Sequence, residues 1–336
     1  MARAEVRMKV LVLTAHEVEA LLPMRECIEV MAEALAALAR GEAHQPLRMV
    51  VRPPGAAGLM AFMPAYKAGP DRPAFGLKAI GVFHGNVEKG KDAHQGGVLL
   101  FDGETGELRA LMNASAVTAI RTAAVSAVAT RALSRADACE LAIIGSGVQA
   151  RTHLEAMACV RSLRRVRVAS RRIESARRFA AEGGSRHPFP VEAVATVEEA
   201  VRGADLLVTA TNSSEPVVRR EWVEAGAHLN AVGASIPTSR EVDGATLAAA
   251  RLFVDRRESA LNEAGDYLIA AREGLVGPDH IQAEIGEVLV GQQPGRRSPD
   301  EITLFKSLGL ALEDLAAAQH VYRRAERERA GTWVEF

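Results

Sequence analysis

The stretch Glu140-Leu-Ala-Ile-Ile-Gly145-Ser-Gly147-Val-Gln-Ala150 decides the fold. Its apolar run before Gly145 predicts a buried parallel strand, and the residues after Gly147 predict a helix. The glycines therefore fall in a strand-to-helix turn, where backbone N–H groups and a helix N-terminus bind a dinucleotide pyrophosphate. Gly145 permits the tight turn, Gly147 lets phosphate approach the backbone, and Ala150 lets the helix pack on the strand. The predicted cofactor-binding loop comprises Gly145, Ser146, Gly147, Val148, Gln149 and Ala150.

The end of the next strand predicts which dinucleotide binds. An NAD site usually carries an acidic residue there, roughly 20 residues past the glycines. This chain instead has Ser170, followed by Arg171 and Arg172. A guanidinium pairs with a 2′-phosphate, which a carboxylate would repel, so the sequence predicts NADP(H), with NAD(H) as the alternative cofactor. A solvated basic face would also explain the arginines, because five more lie nearby, but it does not explain the missing acid: Arg161, Arg164, Arg167, Arg177 and Arg178.

Composition limits the class of protein. A chain of 336 residues predicts about two domains, and 48% apolar and 25% charged residues are typical of a globular protein. The net charge of −1 gives no electrostatic reason to bind nucleic acid or a membrane. No apolar run approaches the roughly 18 residues of a membrane span, and Lys9–Leu13 is too short for a signal sequence. Three cysteines suggest a reducing, cytoplasmic location, and the nine histidines show no metal-binding spacing.

The order of predicted elements gives an α/β fold. From Leu141 onward strands and helices alternate, which predicts a parallel, doubly wound (Rossmann) sheet. The preceding strands predict a mixed sheet, with a hairpin turn at Asp102–Gly106, and residues 301–326 predict one or two helices. We expect a Rossmann NADP-binding domain over residues 131–310. It is inserted into a mixed α+β substrate-binding and dimerisation domain, formed by residues 1–130 and 311–336.

Six motifs occur in an order that resembles one known family over nearly the whole chain: Gly76-Leu-Lys78, Gln95-Gly-Gly97, Phe101-Asp-Gly-Glu-Thr-Gly106, Arg121-Thr-Ala-Ala124, Gly145–Ala150 and Asp300-Glu-Ile-Thr-Leu-Phe305. They resemble the ornithine cyclodeaminase/mu-crystallin family. Asn230–Ser235 and Thr303–Gly309 are similar to its mu-crystallin (ketimine reductase) branch. The resemblance implies a homodimer whose terminal segments form the substrate and dimerisation domain.

Three cations are the candidate substrate-binding residues. Lys78 lies in an apolar strand, and a buried ammonium is costly without a function or a partner, although a lysine at a strand end can snorkel to water. Arg48 and Arg121 offer the guanidinium fork that a carboxylate requires, although either can be a structural ion pair. The resemblance implies that Arg48, Lys78 and Arg121 bind the substrate carboxylate, with Lys78 also placed to hydrogen-bond or protonate an imine nitrogen.

Ser235 distinguishes branches of the family. The cyclodeaminase and alanine dehydrogenase branches carry an aspartate at this position, where it helps to move protons. The Ser235 hydroxyl is a catalytic candidate that can relay a proton or orient water, but serine is a poor base near neutral pH, which argues against deaminating cyclisation. A cap without a chemical role is the alternative for Ser235. Weaker pocket candidates are His84, Asn86 and Thr118.

Further cofactor contacts are predicted beyond the glycine loop. They are Thr211, Lys306 and Ser307, and the last two resemble family residues near the nicotinamide. A helix start capped by Thr303 is the alternative for Lys306 and Ser307. Glu263-Ala-Gly-Asp266 can reach the site, but acids near a glycine turn are usually solvated.

The sequence therefore predicts an NAD(P)H-dependent oxidoreductase that reduces a small cyclic ketimine, such as pyrroline-2-carboxylate or piperideine-2-carboxylate. Two alternatives remain. One is ornithine cyclodeamination or alanine dehydrogenation, and the other is a non-catalytic NADPH-binding protein of mu-crystallin type.

Overall fold

The computed structural model describes residues 9–68 and 73–336, except for the side chains of three residues in 84–88. The chain divides into two compact units. Unit 1 comprises the described part of Met1–Arg121 together with Leu310–Phe336, and unit 2 comprises Thr122–Gly309. Their first junction falls within a long helix, at Arg121–Thr122, whereas the sequence suggested a boundary at 130–131.

The strands follow in chain order: β1 (Lys9–Leu13), β2 (Ala43–His44), β3 (Met49–Val51), β4 (Leu59–Lys67), β5 (Ala74–Val82), β6 (His94–Asp102), β7 (Leu108–Asn113), β8 (Glu140–Ile144), β9 (Arg165–Ala169), β10 (Val191–Ala193), β11 (Leu206–Thr209), β12 (His228–Ala231), β13 (Arg251–Val254), β14 (Ile281–Glu284), β15 (Thr303–Lys306) and β16 (Thr332–Glu335). The α-helices are α1 (Ala15–Leu21), α2 (Met24–Ala39), α3 (Ala114–Leu133), α4 (Val148–Val160), α5 (Ile173–Arg186), α6 (Val197–Val201), α7 (Gly244–Ala249), α8 (Arg257–Glu263), α9 (Gly265–Arg272), α10 (Ile285–Leu289) and α11 (Ala311–Glu328).

Unit 1 is built on a mixed sheet in the order β16-β1-β7-β6-β5-β4-β2, with β3 also paired to β4. The predicted hairpin is confirmed, because β6 and β7 are antiparallel neighbours. The Asp102 carboxylate closes its turn by accepting hydrogen bonds from the amides of Glu104 and Thr105, both at 3.0 Å. Helix α11 packs across β4, β5 and β6.

The two faces of this sheet differ in burial. On β5, Ala74, Gly76, Lys78 and Ile80 are buried beneath the packed helices. The alternate residues of β5 point to the opposite face of the sheet. Phe75 is 48% exposed there, and its ring contacts the ring of Tyr66 at a tilted angle. Met60 (40% exposed) and Leu111 (39% exposed) share this face, whose large side chains are therefore apolar and uncovered.

Unit 2 is an eight-stranded sheet in the order β10-β9-β8-β11-β12-β15-β13-β14, and all its pairings are parallel. The predicted doubly wound sheet is thus confirmed. One local expectation is wrong: Thr303–Lys306 is a buried strand between β12 and β13, not the start of a helix. A run of four residues is too short for periodicity to separate a strand from a helical turn, so its two strand neighbours decide its structure.

Helix α3 corrects the expectation about apolar runs. Ala114–Leu133 is 20 residues long and apolar enough to cross a membrane by length and composition, the single such helix among the described residues. However, 78% of its apolar window is buried inside the protein. This burial is typical of a core helix.

Candidate active site

The glycine loop has the geometry that the sequence predicts for phosphate binding. Gly145 follows β8 with φ +119°, and a Cβ atom there would lie 2.4 Å from the carbonyl oxygen of Ala210. No other residue fits that position without a backbone shift. Gly147 is the N-cap of α4, and a Cβ atom added to it would meet no heavy atom within 4 Å. The space in front of this helix N-terminus is therefore open to a phosphate group.

The rest of the loop fits a dinucleotide as well. Ala150 is fully buried, as close packing of α4 on the sheet requires. Val148 is 57% exposed, so an apolar surface lies at the start of the helix. The Oε1 atom of Gln149 is buried and accepts no hydrogen bond within the described part of the chain.

The arginines near the ribose position separate into two groups. Arg164 and Arg165 pair with the Glu140 carboxylate, and Arg167 donates to backbone carbonyls of residues 199 and 202. By contrast, Arg171 and Arg172 are exposed and form no ion pair or side-chain hydrogen bond with the residues described. A uniformly solvated basic face therefore does not describe this region, since several of its members are fixed to the protein.

A serine pair replaces the usual acid at the end of β9. The hydroxyl groups of Ser146 and Ser170 lie 2.9 Å apart and share a hydrogen bond. This contact joins the glycine loop to the strand end that normally recognises the ribose. It leaves no carboxylate there to repel a 2′-phosphate.

Thr211 is held by an acid that sequence reasoning missed. Glu241 is fully buried and accepts hydrogen bonds from the amide and hydroxyl of Thr211, at 2.6 and 2.7 Å. It also accepts from the Thr209 hydroxyl at 2.8 Å and the Gly233 amide at 2.6 Å. Burial raises the pKa of Glu241. The positive charge of Lys306 and the hydrogen bonds from Thr211 act to lower it. Glu241 thus ties together the carboxyl ends of β11 and β12.

Lys306 and Asp266 form a buried pair behind this edge. The Lys306 ammonium lies 3.0 Å from Asp266 and donates to the carbonyl of Ala231 at 3.1 Å. The expectation that acids in Glu263–Asp266 are solvated is wrong for Asp266, which is 1% exposed. Its carboxylate instead accepts hydrogen bonds from the backbone amides of Glu241 and Val242. The Ser307 hydroxyl is buried and has no hydrogen-bond partner in the described chain, so it remains available to a ligand.

Ser235 lies in the segment after β12 and is half-buried. Its side chain forms no hydrogen bond with any residue that the structure describes, so nothing indicates a capping contact. Whether it takes part in proton transfer stays a prediction.

Unit 1 contains a buried cluster of four charged side chains. The Lys78 ammonium, 2% exposed, lies 2.7 Å from Oδ2 of Asp314. Arg121, 3% exposed, donates from Nε to Oδ1 of Asp314 at 3.0 Å and from Nη1 to Glu313 at 2.7 Å. The snorkelling alternative for Lys78 is therefore wrong, and Arg121 does form structural ion pairs.

Local sequence explains how this cluster assembles. Lys78 shares a strand face with Gly76, whose missing side chain allows α11 to lie close to β5. Glu313 and Asp314 occupy the first turn of α11, where the helix dipole favours acidic residues. An acidic pair inside the apolar run Leu310–Ala318 was the sequence signal for them, because buried acids require partners.

The electrostatics of the cluster favour an anionic ligand. Burial lowers the pKa of Lys78 to about 8, the nearby Arg121 and Arg48 guanidiniums lower it too, and Asp314 opposes them. Arg121 keeps a raised pKa because its two carboxylates outweigh the effect of burial. With all groups ionised, the two cations and two carboxylates of the buried cluster carry no net charge, and the half-buried Arg48 is a third cation close to Lys78.

The three weaker candidates for the substrate pocket, Asn86, Thr118 and His84, differ in what the structure shows of them. The Asn86 amide donates to the carbonyl of Asp92 within its own loop, at 3.2 Å. Thr118 lies one helical turn before Arg121 on α3, and its buried hydroxyl has no hydrogen-bond partner among the described residues. The side chain of His84 lies outside the described part of the chain. Within that part, no group of three or more residues is arranged to hold a metal ion.

A parallel Rossmann sheet whose glycine loop is open at a helix N-terminus is typical of an enzyme that uses a dinucleotide cofactor. The chain belongs to the ornithine cyclodeaminase/mu-crystallin family, whose model matches residues 8–329. It is 42% identical to the ketimine reductase mu-crystallin of Mus musculus over 282 residues, 84% of this chain and 85% of that protein.

Two solved structures are similar over nearly the whole chain. The Thermococcus litoralis Δ1-pyrroline-2-carboxylate reductase in complex with NADH and L-proline has a TM-score of 0.93 and 37% identity, covering 96% of this chain and 99% of that one. An archaeal alanine dehydrogenase dimer with bound NAD has a TM-score of 0.92 and 35% identity, covering 98% and 100%.

Proposed function

We propose that this protein is an NAD(P)H-dependent reductase of cyclic ketimines that carry a carboxylate beside the C=N bond. Pyrroline-2-carboxylate and piperideine-2-carboxylate are the model substrates, and cyclic amino acids are the products. The observation that carries the proposal is the buried Lys78 ammonium, which lies close to the guanidiniums of Arg121 and Arg48. Family membership and the two imine-reducing relatives support it.

In unit 1, Lys78, Arg48 and Arg121 have different roles in the proposed reaction. Bound NAD(P)H supplies the hydride for the imine carbon. Lys78 donates a proton to the imine nitrogen, so that the C=N bond becomes CH–NH, and the neutral amine regains its proton from water. Arg48 binds the substrate carboxylate, as the resemblance to the family implies, and Arg121 is held by Asp314 and Glu313 through Nε and Nη1. Arg121 adds positive charge and fixes the cluster.

The cofactor residues of unit 2 serve two purposes. Gly145, Gly147 and the N-terminus of α4 bind the pyrophosphate, and Arg171 and Arg172 bind a 2′-phosphate when NADPH is the cofactor. Glu241 and Lys306 hold the strand ends that surround the nicotinamide position. The unpartnered Ser307 hydroxyl is left to hydrogen-bond the cofactor.

We also propose a homodimer formed through the uncovered sheet face of unit 1. Phe75, Met60 and Leu111 are exposed there, and an apolar face of this kind is typical of a protein–protein interface. The similar alanine dehydrogenase is a dimer. Sedimentation should show a dimer that Phe75→Lys dissociates, whereas Val148→Lys, at an exposed site in unit 2, should leave it intact. A monomeric wild type would contradict this proposal.

The described chain contains no disulfide bond among Cys27, Cys139 and Cys159, which is consistent with the reducing environment of the cytoplasm. We infer cytoplasmic action from this.

The deciding experiment measures NADPH and NADH oxidation with the two cyclic imines. Turnover should exceed background strongly, and Lys78→Met should abolish it while cofactor binding persists. Release of ammonia from ornithine or alanine would favour the deaminating alternative instead. Tight NADPH binding without turnover of any imine would favour a binding protein.

A further inference from the structure

We propose that Asp314 is the positioning residue that holds Lys78 as an ammonium, aimed for proton donation, and ties it to Arg121. This inference rests on the proposed imine reduction. It concerns a residue that touches neither substrate nor cofactor in the proposed reaction but acts through the proton donor.

The geometry of Asp314 suits this role. Its carboxylate is 1% exposed, and its two oxygens contact two different cations. Oδ2 lies 2.7 Å from the Lys78 ammonium, and Oδ1 accepts a hydrogen bond from Arg121 Nε at 3.0 Å. The bridging carboxylate therefore fixes the distance between a strand residue and a helix residue of unit 1. Glu313, its neighbour on α11, contacts Arg121 at Nη1 instead.

The charges around Lys78 show why the bridge matters. Of the described groups, Arg121 on α3 and Arg48 before β3 favour loss of its proton, as does burial, whereas Asp314 on α11 opposes it. Glu313 on α11 and the buried Cys27 thiol on α2 face Arg121. Without Asp314, burial and the two guanidiniums would all lower the pKa of Lys78, and the carboxylate that opposes them would be lost.

Proton donation depends on this balance. In the proposed reaction an N–H bond of Lys78 breaks, a new N–H bond forms on the imine nitrogen, and the hydride adds to the carbon. A neutral amine at position 78 has no acidic proton for this step. Asp314 thus determines up to which pH the donor form of Lys78 persists.

The first test is the pH profile of kcat/KM with pyrroline-2-carboxylate for wild type, Asp314→Asn and Glu313→Gln. In wild type the rate should fall as pH rises through the Lys78 pKa. Asp314→Asn should move that fall about one to three pH units lower, since an opposite charge within contact distance is lost. Glu313→Gln removes an equally buried carboxylate from the same helix turn, and should change KM while leaving the position of the fall in place. An equal shift in both variants would overturn the proposal.

A second readout does not require turnover. The chain has six lysines, so the 13Cε signal of Lys78 in 13C-lysine-labelled protein can be assigned by its loss in Lys78→Arg. Its titration midpoint should fall in Asp314→Asn and recover partly, but not fully, in Asp314→Glu, which restores the charge on a longer side chain. If Asp314→Asn does not fold, Asp314→Glu alone decides, because a lengthened side chain should still displace the midpoint relative to wild type.

The outcomes separate the two proposals. A wild type that reduces no imine, but whose Lys78 midpoint depends on Asp314, would reject the proposed function and keep this electrostatic role. An active wild type whose Lys78 midpoint and pH profile are unmoved in the Asp314 variants would reject the role of Asp314 alone.

Discussion

A Cβ atom on Gly76 would lie 3.0 Å from the Cβ of Leu315, and 3.4 Å from its Cα. Strand β5 and helix α11 therefore touch at a point where only a hydrogen atom separates them. Leu315 directly follows Asp314, and Gly76 lies two residues before Lys78 on the same strand face. The close approach of backbone to backbone thus sets the distance between the carboxylate and the ammonium.

Replacing Gly76 with alanine should destabilise the protein by about 1–3 kcal/mol, the usual cost of overpacking a closely packed contact. Urea unfolding measures the change. The matched control is Gly184→Ala in α5, where an added Cβ meets no atom within 4 Å. That variant should be neutral or gain up to about 1 kcal/mol from helix propensity. Equal effects of the two substitutions would argue against the packing account.

Cofactor preference depends on the strand end at Ser170. NADPH should be preferred over NADH by about one to two orders of magnitude in kcat/KM, as expected for about 1.5–3 kcal/mol from an Arg–phosphate contact. Ser170→Asp combined with Arg171→Ala should reverse the ratio. Arg177→Ala, an exposed arginine further along α5, should leave it unchanged. A wild-type ratio near one would mean that Arg171 and Arg172 serve only as a basic surface.

Lys78 should give the reaction a characteristic pH dependence. Its pKa is lowered to about 8, so the donor form is complete below that pH and is lost as pH rises through it. In Lys78→Arg a guanidinium takes this position and keeps its proton, since arginine has a pKa above about 12. The decline of kcat near pH 8 should therefore disappear in the variant, at a lower overall rate. A decline that persists unchanged would assign it to another group.

Substitution of the two arginines of the site should affect different quantities: stability for Arg121 and KM for Arg48. Arg121→Met leaves Glu313 and Asp314 buried without their guanidinium, so it should lower the free energy of unfolding by about 3–5 kcal/mol. Arg48→Met changes a half-buried side chain outside the buried cluster and should lower the free energy of unfolding less than Arg121→Met does. It should instead raise KM for the imine by about ten- to a hundredfold, the loss expected for one charge-assisted contact. Thermal melts and steady-state kinetics on both variants distinguish these effects.

Local sequence patterns predicted those elements of the fold whose structure depends on residues close in sequence. The Thr14–Glu17 capping box at the start of α1 is a local sequence pattern, and the alternation of strands and helices after Leu141 predicted the parallel sheet. Strands β15 and β16 were missed, because four-residue segments acquire their structure from partners distant in sequence. Thr303–Lys306 pairs with β12 and β13, and Thr332–Glu335 pairs with β1.

In the candidate site, too, the locally unusual residues were predicted and their partners distant in sequence were not. Lys78 and the glycine loop stand out in the sequence because an ammonium in an apolar strand and glycines in a turn are locally unusual. The partners of the cations do not stand out. Arg121 and Asp314 are 193 residues apart, so only the folded chain brings them into contact. The acid Glu241 was likewise hidden, since its role comes from the turns it joins rather than from its own neighbours.

The pairing of β1 with β16 has a consequence for biosynthesis. Unit 2 is one continuous segment, but unit 1 needs α11 and β16, which leave the ribosome after all of unit 2. Until then the nascent β5 has no carboxylate for Lys78, and a lysine without its counter-charge resists burial. The inserted unit can fold first, whereas unit 1 is completed only after α11 has left the ribosome. A truncation before Glu313 should therefore yield a chain whose first segment remains open to proteases and chaperones.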